Sequence, residues 1–303
     1  MHKVNCFWFL AVSFLLLWKC QSPQETRGLE VAVAEATSNS SAKIAITSFE
    51  EWFNNPRPLI SAHRGGPYPG YPENAIETFQ NIIDRTPAVI ECDISMTKDS
   101  ILVLMHDKTL DRTTDGNGDV FDKMYSEIRR LFLVDNEGDT TPFRVPTLEE
   151  TLVWGKGKAL FTLDVKRGVP YEKVIAAIEK HGATSYAAII TYRYQDAKFV
   201  HTRNSDITIS VSAGDSAALR QITLSGIPSK NLLAFVGTSE PPATHYRKLE
   251  NMGIKTILGT LGNLDRSALA KGDDKIYLKY IENGANIIAT DRPLEVAREL
   301  ERR

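Results

Sequence analysis

Seven polar side chains stand at the ends of short apolar runs, where they could do acid–base or metal chemistry. They are two histidines, three acids and two basic residues: His63, His106, Glu91, Asp93, Asp164, Arg64 and Lys166. Two histidines that face one another can work as general base and general acid. A single histidine is more often structural, but these two lie beside acids. We expect His63 and His106 to form the pair, and His181, His201 and His245 to lie at the surface.

The three acids suggest a cation site. Glu91 and Asp93 are two residues apart, so a strand would place both carboxylates on one face and Cys92 on the other. Two like charges on a buried face need a cation, a shared proton or a basic partner. Asp164 could add a third carboxylate, and three converging carboxylates suit Ca²⁺ or Mg²⁺. The alternative is that these acids cap helices or pair with nearby Arg and Lys.

Arg64 and Lys166 offer fixed positive charge, which suits an anionic oxygen such as that of a phosphate. Their alternative is a surface or ion-pair role. Glu73 and Asn74 precede a predicted helix, and Asn74 suits its N-cap. Glu73 could face the same opening from the loop. These residue types predict an anion site next to the acids.

Short apolar runs alternate with amphipathic stretches from about residue 56 onward. The runs are mostly β-branched and predict strands over residues 59–62, 88–92, 101–105, 159–163, 187–190, 207–211, 232–236, 256–258 and 286–289. Helical patterns cover residues 75–85, 147–154, 171–181, 194–203, 216–225, 243–252, 267–282 and 293–301.

This alternation predicts a parallel sheet with helices outside. About eight strand–helix units over roughly 245 residues favour an α/β fold of the closed TIM (β/α)8 barrel type, with an open doubly wound sheet as the alternative. In a barrel, catalytic groups sit at the carboxyl ends of the strands, where the seven side chains fall. Residues 106–146 are rich in Gly, Asp, Asn and Thr, and predict a small loop-rich insertion.

The first 20 residues differ from the rest. An apolar run of 13 residues, 6–18, follows Lys3 and has the length of a signal-peptide core. Cys20 after this run resembles a bacterial lipobox, although Lys19 departs from the small residue expected there. We expect a signal peptide over 1–20, a tether over 21–55, a catalytic domain over 56–303, and a periplasmic or outer-membrane lipoprotein anchored at Cys20. Ordinary secretion and a retained helical anchor are the alternatives.

Composition excludes several classes. The chain has 303 residues, 42% of them apolar and 24% charged, which argues against disorder. Its 36 Lys and Arg nearly balance 38 Asp and Glu, so nucleic acid is not an expected partner. If Cys20 is acylated, Cys92 has no cysteine to pair with outside the leader, and a lone interior cysteine is more often a small core residue than a nucleophile.

An ordered set of motifs resembles the glycerophosphodiester phosphodiesterase family and covers about residues 58–300. The motifs are His63-Arg64-Gly65, Pro72-Glu73-Asn74, Glu91-Cys92-Asp93, residues 97–114 with His106-Asp107, Pro146-Thr147-Leu148-Glu149-Glu150, Asp164-Val165-Lys166 and Ala289-Thr290-Asp291-Arg292-Pro293. The resemblance implies a TIM barrel that hydrolyses a phosphodiester of glycerol to sn-glycerol 3-phosphate and an alcohol.

The resemblance also implies roles for the candidate residues. It implies His63 and His106 as the acid–base pair, one divalent cation (Ca²⁺ or Mg²⁺) on Glu91, Asp93 and Asp164, and substrate contacts from Arg64, Lys166 and Glu73. It allows attack on phosphorus either by the glycerol 2-hydroxyl, through a cyclic phosphate, or directly by water.

Two positions depart from the family pattern. The family usually has Glu where this chain has Asp164, which is one methylene shorter. The family often shows a Trp on the seventh strand, whereas residues 256–263 contain none. The second departure concerns the head-group pocket, and it leaves open a lysophospholipase D or a cyclic-phosphate-forming enzyme of the same superfamily. A non-catalytic, lipid-anchored binding protein is the third possibility. The sequence carries no signal of oligomeric state.

Overall fold

The computed structural model describes residues 46–302. The predicted signal peptide, the lipid-anchor residue Cys20 and most of the predicted tether lie outside these residues. Among residues 46–302, no helix is both long and apolar enough to cross a membrane.

Eleven strands lie within the described residues. They are β1 (Leu59–Ala62), β2 (Ala88–Met96), β3 (Leu102–Leu104), β4 (Phe132–Val134), β5 (Thr140–Arg144), β6 (Leu160–Val165), β7 (Ala187–Thr191), β8 (Ile209–Ser212), β9 (Leu232–Phe235), β10 (Lys255–Gly259) and β11 (Ile287–Thr290). Eight of them pair in parallel in the order β1, β2, β6, β7, β8, β9, β10, β11, and β11 pairs with β1. The sheet is therefore a closed TIM barrel, which confirms the predicted fold and excludes the open sheet.

Helices separate the barrel strands along the chain. Within the described residues they are α1 (Phe49–Asn54), α2 (Ile76–Ile83), α3 (Tyr125–Ile128), α4 (Leu148–Gly155), α5 (Tyr171–Lys180), α6 (Tyr194–Arg203), α7 (Ser216–Ser225), α8 (Ala243–Asn251), α9 (Asn263–Lys271), α10 (Ile276–Asn283) and α11 (Pro293–Glu301). The single helix predicted over 267–282 is wrong. Two helices occupy this stretch, because Gly272 ends α9 in the left-handed conformation that glycine adopts without steric cost.

The main core lies between the barrel strands and the helices. Phe79 and Ile82 on one face of α2 are fully buried, as is Phe161 of β6. The ring of Phe79 meets that of Phe161 edge to face at 6.4 Å. Helix α1 falls within the range predicted as a tether, but Trp52 on it is only 1% exposed. The chain just before β1 therefore already packs on the barrel.

The insertion over 106–146 is more ordered than the predicted loop. It holds the short helix α3 and an antiparallel hairpin of β4 and β5. A separate small core supports it, built from Val103, Met105, Leu110, Val120, Ile128, Leu133 and Val145, together with Ala75. The strand signal was weak because β4 has three residues and β5 carries Thr, Pro and Arg.

Strand β3 does not join the ring of parallel strands. It runs antiparallel to the end of β2, with Ile94 opposite Leu104. The chain turns back after β2, so the residues that follow β3 return towards the barrel mouth: the Met105 amide donates to the Asp93 carbonyl at 3.0 Å. His106 thus reaches the mouth by a reversal rather than at the end of a barrel strand.

One histidine prediction is wrong. His245 is only 9% exposed, and its Nε2 lies 2.6 Å from the carbonyl oxygen of Ala213. His245 lies near the start of α8, and its contact with Ala213 links this helix to the segment after β8. His245 lies on an amphipathic helix next to a turn, and the sequence gave no sign that this side chain would be buried.

Candidate active site

The three predicted acids converge at the barrel mouth. Glu91 and Asp93 point inward from β2, and Asp164 points inward from β6, the neighbouring strand in the ring. All three are buried, and each offers an oxygen within 4.8 Å of the others. Asp93 stands directly opposite Asp164 in the parallel register. The two-residue spacing thus places the carboxylates as predicted, and Cys92 between them is buried in the core.

Lys166 supplies one positive charge to this cluster. Its Nζ lies 2.6 Å from Asp93 Oδ1 and 2.6 Å from Asp164 Oδ2. Burial raises the pKa of Asp93, but the charge and hydrogen bond of Lys166 outweigh burial and hold that pKa below its usual value. Glu91 shows the opposite behaviour: burial and the neighbouring Asp93 charge raise its pKa. One ammonium thus binds two of the three carboxylates, those of Asp93 and Asp164.

This donor set fits a divalent cation. Hard cations prefer carboxylate oxygens, and the cluster offers three of them in a small buried space. One ammonium does not compensate three ionised acids where water is scarce, so the raised pKa of Glu91 favours a proton on that acid, and a divalent cation can take the place of that proton. The residues that would hold the ion are Glu91, Asp93 and Asp164.

Asn74 has a different place from the predicted one. The N-cap of α2 is Ala75, whereas Asn74 adopts a left-handed φ of 58°. Its Nδ2 donates to Asp93 Oδ2 at 2.7 Å, and its Oδ1 accepts from the Asp93 amide at 2.9 Å. The helix-cap prediction is wrong because the side chain has a buried acid to bind. Asn74 holds both the carboxylate and the backbone of Asp93.

The turn after β1 directs the backbone amide of Arg64 into the site. Arg64 adopts φ 51°, an uncommon value for a residue with a side chain. In this conformation its amide donates to Glu91 Oε2 at 2.7 Å, and its carbonyl accepts from the Asn74 amide at 2.9 Å. Gly65 follows at φ 85°. The His63-Arg64-Gly65 motif is therefore a turn that orients Glu91.

Arg64, Glu73 and Arg112 form a charged cluster beside the acids. Glu73 is only 4% exposed. Its Oε2 lies 3.1 Å from Arg64 Nη1, and its Oε1 lies 2.8 Å from Arg112 Nη2. Glu73 is therefore occupied by two guanidinium groups, and its predicted contact with substrate stays a prediction.

Each candidate catalytic histidine is held by a carboxylate. His63 Nδ1 lies 2.7 Å from Asp291 Oδ1, and His106 Nδ1 lies 2.7 Å from Asp107 Oδ1. Burial lowers the pKa of His63, but the hydrogen bond to Asp291 and the charge of Glu91 outweigh it, so the pKa is raised above its usual value.

The two histidines differ at Nε2. His106 Nε2 lies 2.8 Å from Arg64 Nη2. A guanidinium only donates, so this nitrogen accepts and the ring proton lies on Nδ1, facing Asp107. Asp107 is held in turn by Arg112, whose Nε lies 2.6 Å from Asp107 Oδ2. Arg64 and Asp107 thus hold the His106 ring between them, with the lone pair of Nε2 towards Arg64.

A cavity of about 160 Å³ opens beside the acids. His63, Glu91 and Asp164 line one side, with no tryptophan in the lining. The other side is apolar and comes from the later strands and loops: Ile190, Val211, Phe235, Ile257 and Leu261. Phe235 and Leu261 thus supply apolar surface where the resemblance leads one to expect a tryptophan.

Five residues of this site make contacts that the sequence did not predict. Asp107, Arg112 and Asp291 were part of the matching motifs but not assigned, and Asn74 was assigned as a cap. Tyr192 carried no signal at all: it follows β7, and its hydroxyl donates to Asp164 Oδ1 at 2.9 Å. Acids close to a histidine in sequence could have suggested Asp107, whereas Asp291 lies 228 residues from His63.

Comparison with known proteins gives consistent matches. A model described as the glycerophosphoryl diester phosphodiesterase family matches residues 63–271. A glycerophosphodiester phosphodiesterase of Caldanaerobacter subterraneus is 33% identical over 149 residues, which are 47% of this chain and 61% of the relative. The chain therefore spans about three fifths of this curated relative.

Two solved structures share the fold. A glycerophosphoryl diester phosphodiesterase from Parabacteroides distasonis superposes with a TM-score of 0.79 at 33% identity, covering 86% of this chain and 94% of that one. A phosphodiesterase of Oleispira antarctica, in complex with the product sn-glycerol-3-phosphate, superposes with a TM-score of 0.63 at 19% identity, covering 81% and 97%. The second match supports the fold alone.

Proposed function

Because the chain belongs to the glycerophosphoryl diester phosphodiesterase family, we propose that it hydrolyses glycerophosphodiesters to sn-glycerol 3-phosphate and an alcohol. The observation that carries the proposal is the buried triad of Glu91, Asp93 and Asp164 with a carboxylate-held histidine on either side of it. His63 lies close enough to Glu91 for their charges to act on each other, and His106 contacts Arg64, whose amide binds Glu91. The product named for the Oleispira antarctica neighbour agrees with this reaction.

We propose that Glu91, Asp93 and Asp164 hold one divalent cation, Ca²⁺ or Mg²⁺. When bound, such an ion lowers the pKa of an attacking hydroxyl and offsets the charge that grows on phosphorus. Lys166 keeps a positive charge at the same place, and Arg64 adds a second one next to His106. These two side chains are proposed to neutralise the phosphate.

The histidines are proposed to divide the proton transfers. His106, whose ring proton lies on Nδ1, is the proposed base: its Nε2 takes a proton from the attacking hydroxyl once Arg64 turns from this nitrogen to the phosphate. The raised pKa of His63 favours its protonated form, which makes it the acid that gives a proton to the leaving alcohol. Asp107 and Asp291 hold the two rings and stabilise the charge on them.

The test is turnover by the purified protein, followed by phosphorus NMR. Glycerophosphocholine is incubated with the protein in Ca²⁺, in Mg²⁺ and in EDTA. We expect sn-glycerol 3-phosphate to appear with one of the cations and to be absent in EDTA. A cyclic phosphate that appears first and then decays indicates attack by the glycerol 2-hydroxyl, and its absence indicates attack by water.

Two further observations distinguish the proposed hydrolase from related enzymes. Lysophosphatidylcholine, offered under the same conditions, is consumed faster than glycerophosphocholine if the protein is a lysophospholipase D. A cyclic phosphate that accumulates as the end product assigns a cyclic-phosphate-forming enzyme instead. If no diester is cleaved with either cation, the hydrolase proposal is wrong and a binding protein remains.

We further propose that the protein is exported and anchored through a lipid on Cys20, with cleavage before this residue removing the signal peptide. The apolar run followed by a cysteine supports this proposal. Metabolic labelling with a fatty acid analogue in a bacterial host tests it. We expect label on the wild type and none on Cys20→Ala; an unlabelled wild type contradicts the anchor.

A further inference from the structure

One contact of the acid cluster comes from a residue that no motif contains. The hydroxyl of Tyr192 donates to Asp164 Oδ1 at 2.9 Å, while Lys166 binds the other oxygen, Oδ2, at 2.6 Å. Both oxygens of this carboxylate are therefore held, each by a different donor.

The barrel geometry explains why Tyr192 reaches this acid. Asp164 on β6 pairs in register with Ile190 on β7. Tyr192 is two residues beyond Ile190, so it continues on the same side of the chain and leans over Asp164. The residue as a whole is 64% exposed. Its ring thus stands at the mouth while its hydroxyl reaches an acid that is only 7% exposed.

Such a contact is directional. An aspartate has two rotatable bonds, and the plane of its carboxylate decides which oxygen faces a neighbour. A hydrogen bond to a charged acceptor is stronger than one between neutral groups, and a tyrosine has only two side-chain torsions to order. The bond therefore holds the plane of the Asp164 carboxylate relative to Glu91 and Asp93.

Tyr192 differs from Lys166 in charge. An ammonium between Asp93 and Asp164 repels an incoming divalent cation. A neutral hydroxyl orients the carboxylate without that repulsion, and a carboxylate oxygen can accept a hydrogen bond and bind a cation at once. Tyr192 can thus keep Asp164 in place while a cation binds.

We propose that Tyr192 is a positioning residue whose hydroxyl orients Asp164 and so sets the affinity of the acid cluster for a divalent cation. The inference rests on the cation site of the proposed function. It assigns no proton transfer and no substrate contact to the hydroxyl. The ring of Tyr192 also lines the cavity beside the acids, and Tyr192→Phe leaves this wall in place.

The first measurement is cation binding without substrate, by isothermal titration calorimetry with Ca²⁺ and with Mg²⁺. We expect Tyr192→Phe to raise the Kd about 10- to 100-fold, the range seen when a partner of a metal ligand is removed. Tyr194→Phe is the matched control: the same atom is removed two residues away, from a ring that begins α6 and does not line this cavity. Its Kd should equal that of the wild type.

The second measurement is turnover of glycerophosphocholine against cation concentration. We expect the half-activating concentration of Tyr192→Phe to rise by the same factor as the Kd. At saturating cation, kcat and KM should return to within about two-fold of the wild type, because neither the reacting groups nor the cavity wall has changed. A residue needed only for folding would lower kcat at every cation concentration.

The outcomes separate this inference from the proposed function. An unchanged Kd in Tyr192→Phe, or a lowered kcat that saturating cation does not restore, overturns the inference alone. A wild type that binds cation but cleaves no diester overturns the hydrolase proposal alone, since the calorimetric comparison still stands. A wild type that binds neither cation overturns both the cation site and the role of Tyr192.

Discussion

His63 and His106 are each bonded to a carboxylate at Nδ1, and this orients both rings before any ligand arrives. Such a carboxylate fixes the tautomer and stabilises the protonated ring. Of the two rings, only that of His106 is bound by the Arg64 guanidinium, so the two rings are not equivalent. The structure therefore gives the two rings different surroundings, which neither the residue types nor their spacing could reveal.

We expect His63→Ala and His106→Ala each to lower kcat by about 10²–10⁴-fold, because each removes a group that transfers a proton in the transition state. Steady-state assays with glycerophosphocholine measure the effect. His201→Ala on α6 serves as a control for histidine loss and should keep full activity. Near-wild-type turnover by His63→Ala or His106→Ala contradicts the assignment.

We expect Asp291→Asn to lower the pKa of His63, because the substitution replaces a negatively charged acceptor 2.7 Å from Nδ1 with a neutral amide. NMR titration of the His63 ring measures this directly. If His63 is the acid, the alkaline limb of the pH–rate profile moves to lower pH in the variant.

The same shift predicts how stability depends on pH. A raised pKa stabilises the folded state below the unfolded value of 6.5, and this contribution is lost as pH rises through the folded pKa. Asp291→Asn should therefore destabilise the protein more at about pH 6 than at about pH 9. Equal losses at both pH values would show that His63 is not the group concerned.

At the level of elements, the short turn between β1 and α2 holds two of the three acids of the site. Its backbone binds Glu91, and Asn74 at its far end binds Asp93. The turn is also packed closely: a Cβ on Gly65 would lie 2.2 Å from Cε1 of Phe79 on α2. Helix packing and the position of the carboxylates are therefore coupled at Gly65.

We expect Gly65→Ala to destabilise the fold by about 2–4 kcal/mol, from the left-handed backbone together with the clash against Phe79. Gly70→Ala is the matched control, because Gly70 has a similar φ of 77° but open space at its Cβ. The control should cost only about 1 kcal/mol, the backbone part alone. Urea unfolding midpoints measure both, and equal losses would contradict the packing argument.

Strand β3 brings His106 to the barrel mouth by a route that the sequence does not reveal. The prediction placed His106 at the mouth because the residue follows an apolar run, and that placement agrees with the structure. The reason is different, since β3 runs antiparallel to β2 and lies outside the ring. A short apolar run does not reveal the direction of its neighbour, so the sequence could not distinguish the two cases.

At the scale of the whole molecule, a cation that binds only the folded barrel must stabilise it. At about 100 times its Kd, the gain is about 2.7 kcal/mol. For a chain of this size we expect a rise in Tm of about 5–10 °C over the value in EDTA. Differential scanning calorimetry measures this rise, with a sodium salt at matched ionic strength as the control.

Glu91→Gln gives the converse result. Measured at about pH 9, above the raised pKa of Glu91 of about 8, the variant lacks one of three converging charges. We therefore expect it to melt above the wild type in EDTA at this pH, because like-charge repulsion in the cluster falls. It should also lose the stabilisation by the cation. A variant that melts lower in EDTA and still responds to the cation contradicts the role given to Glu91.

The local sequence determined much of this protein. Alternating apolar runs and helical patterns predicted the barrel, because each element must bury an apolar face. The two-residue spacing of Glu91 and Asp93 determined that their carboxylates share a face. The ordered motifs identified the family, and most strands were predicted to within two residues. The domain boundaries and the leader over 1–20 stay predictions, since residues 1–45 lie outside the described part of the chain.

Only the tertiary structure decided which groups bind each other. Barrel closure brings Asp291 next to His63 across 228 residues, and the register of β6 with β7 brings Tyr192 over Asp164. The tertiary structure also makes Asn74, a predicted helix cap, a hydrogen-bond partner of Asp93. It gives the insertion a core of its own. The physical reason is that burial and pairing depend on distances in space, which spacing along the chain fixes only within one strand or helix.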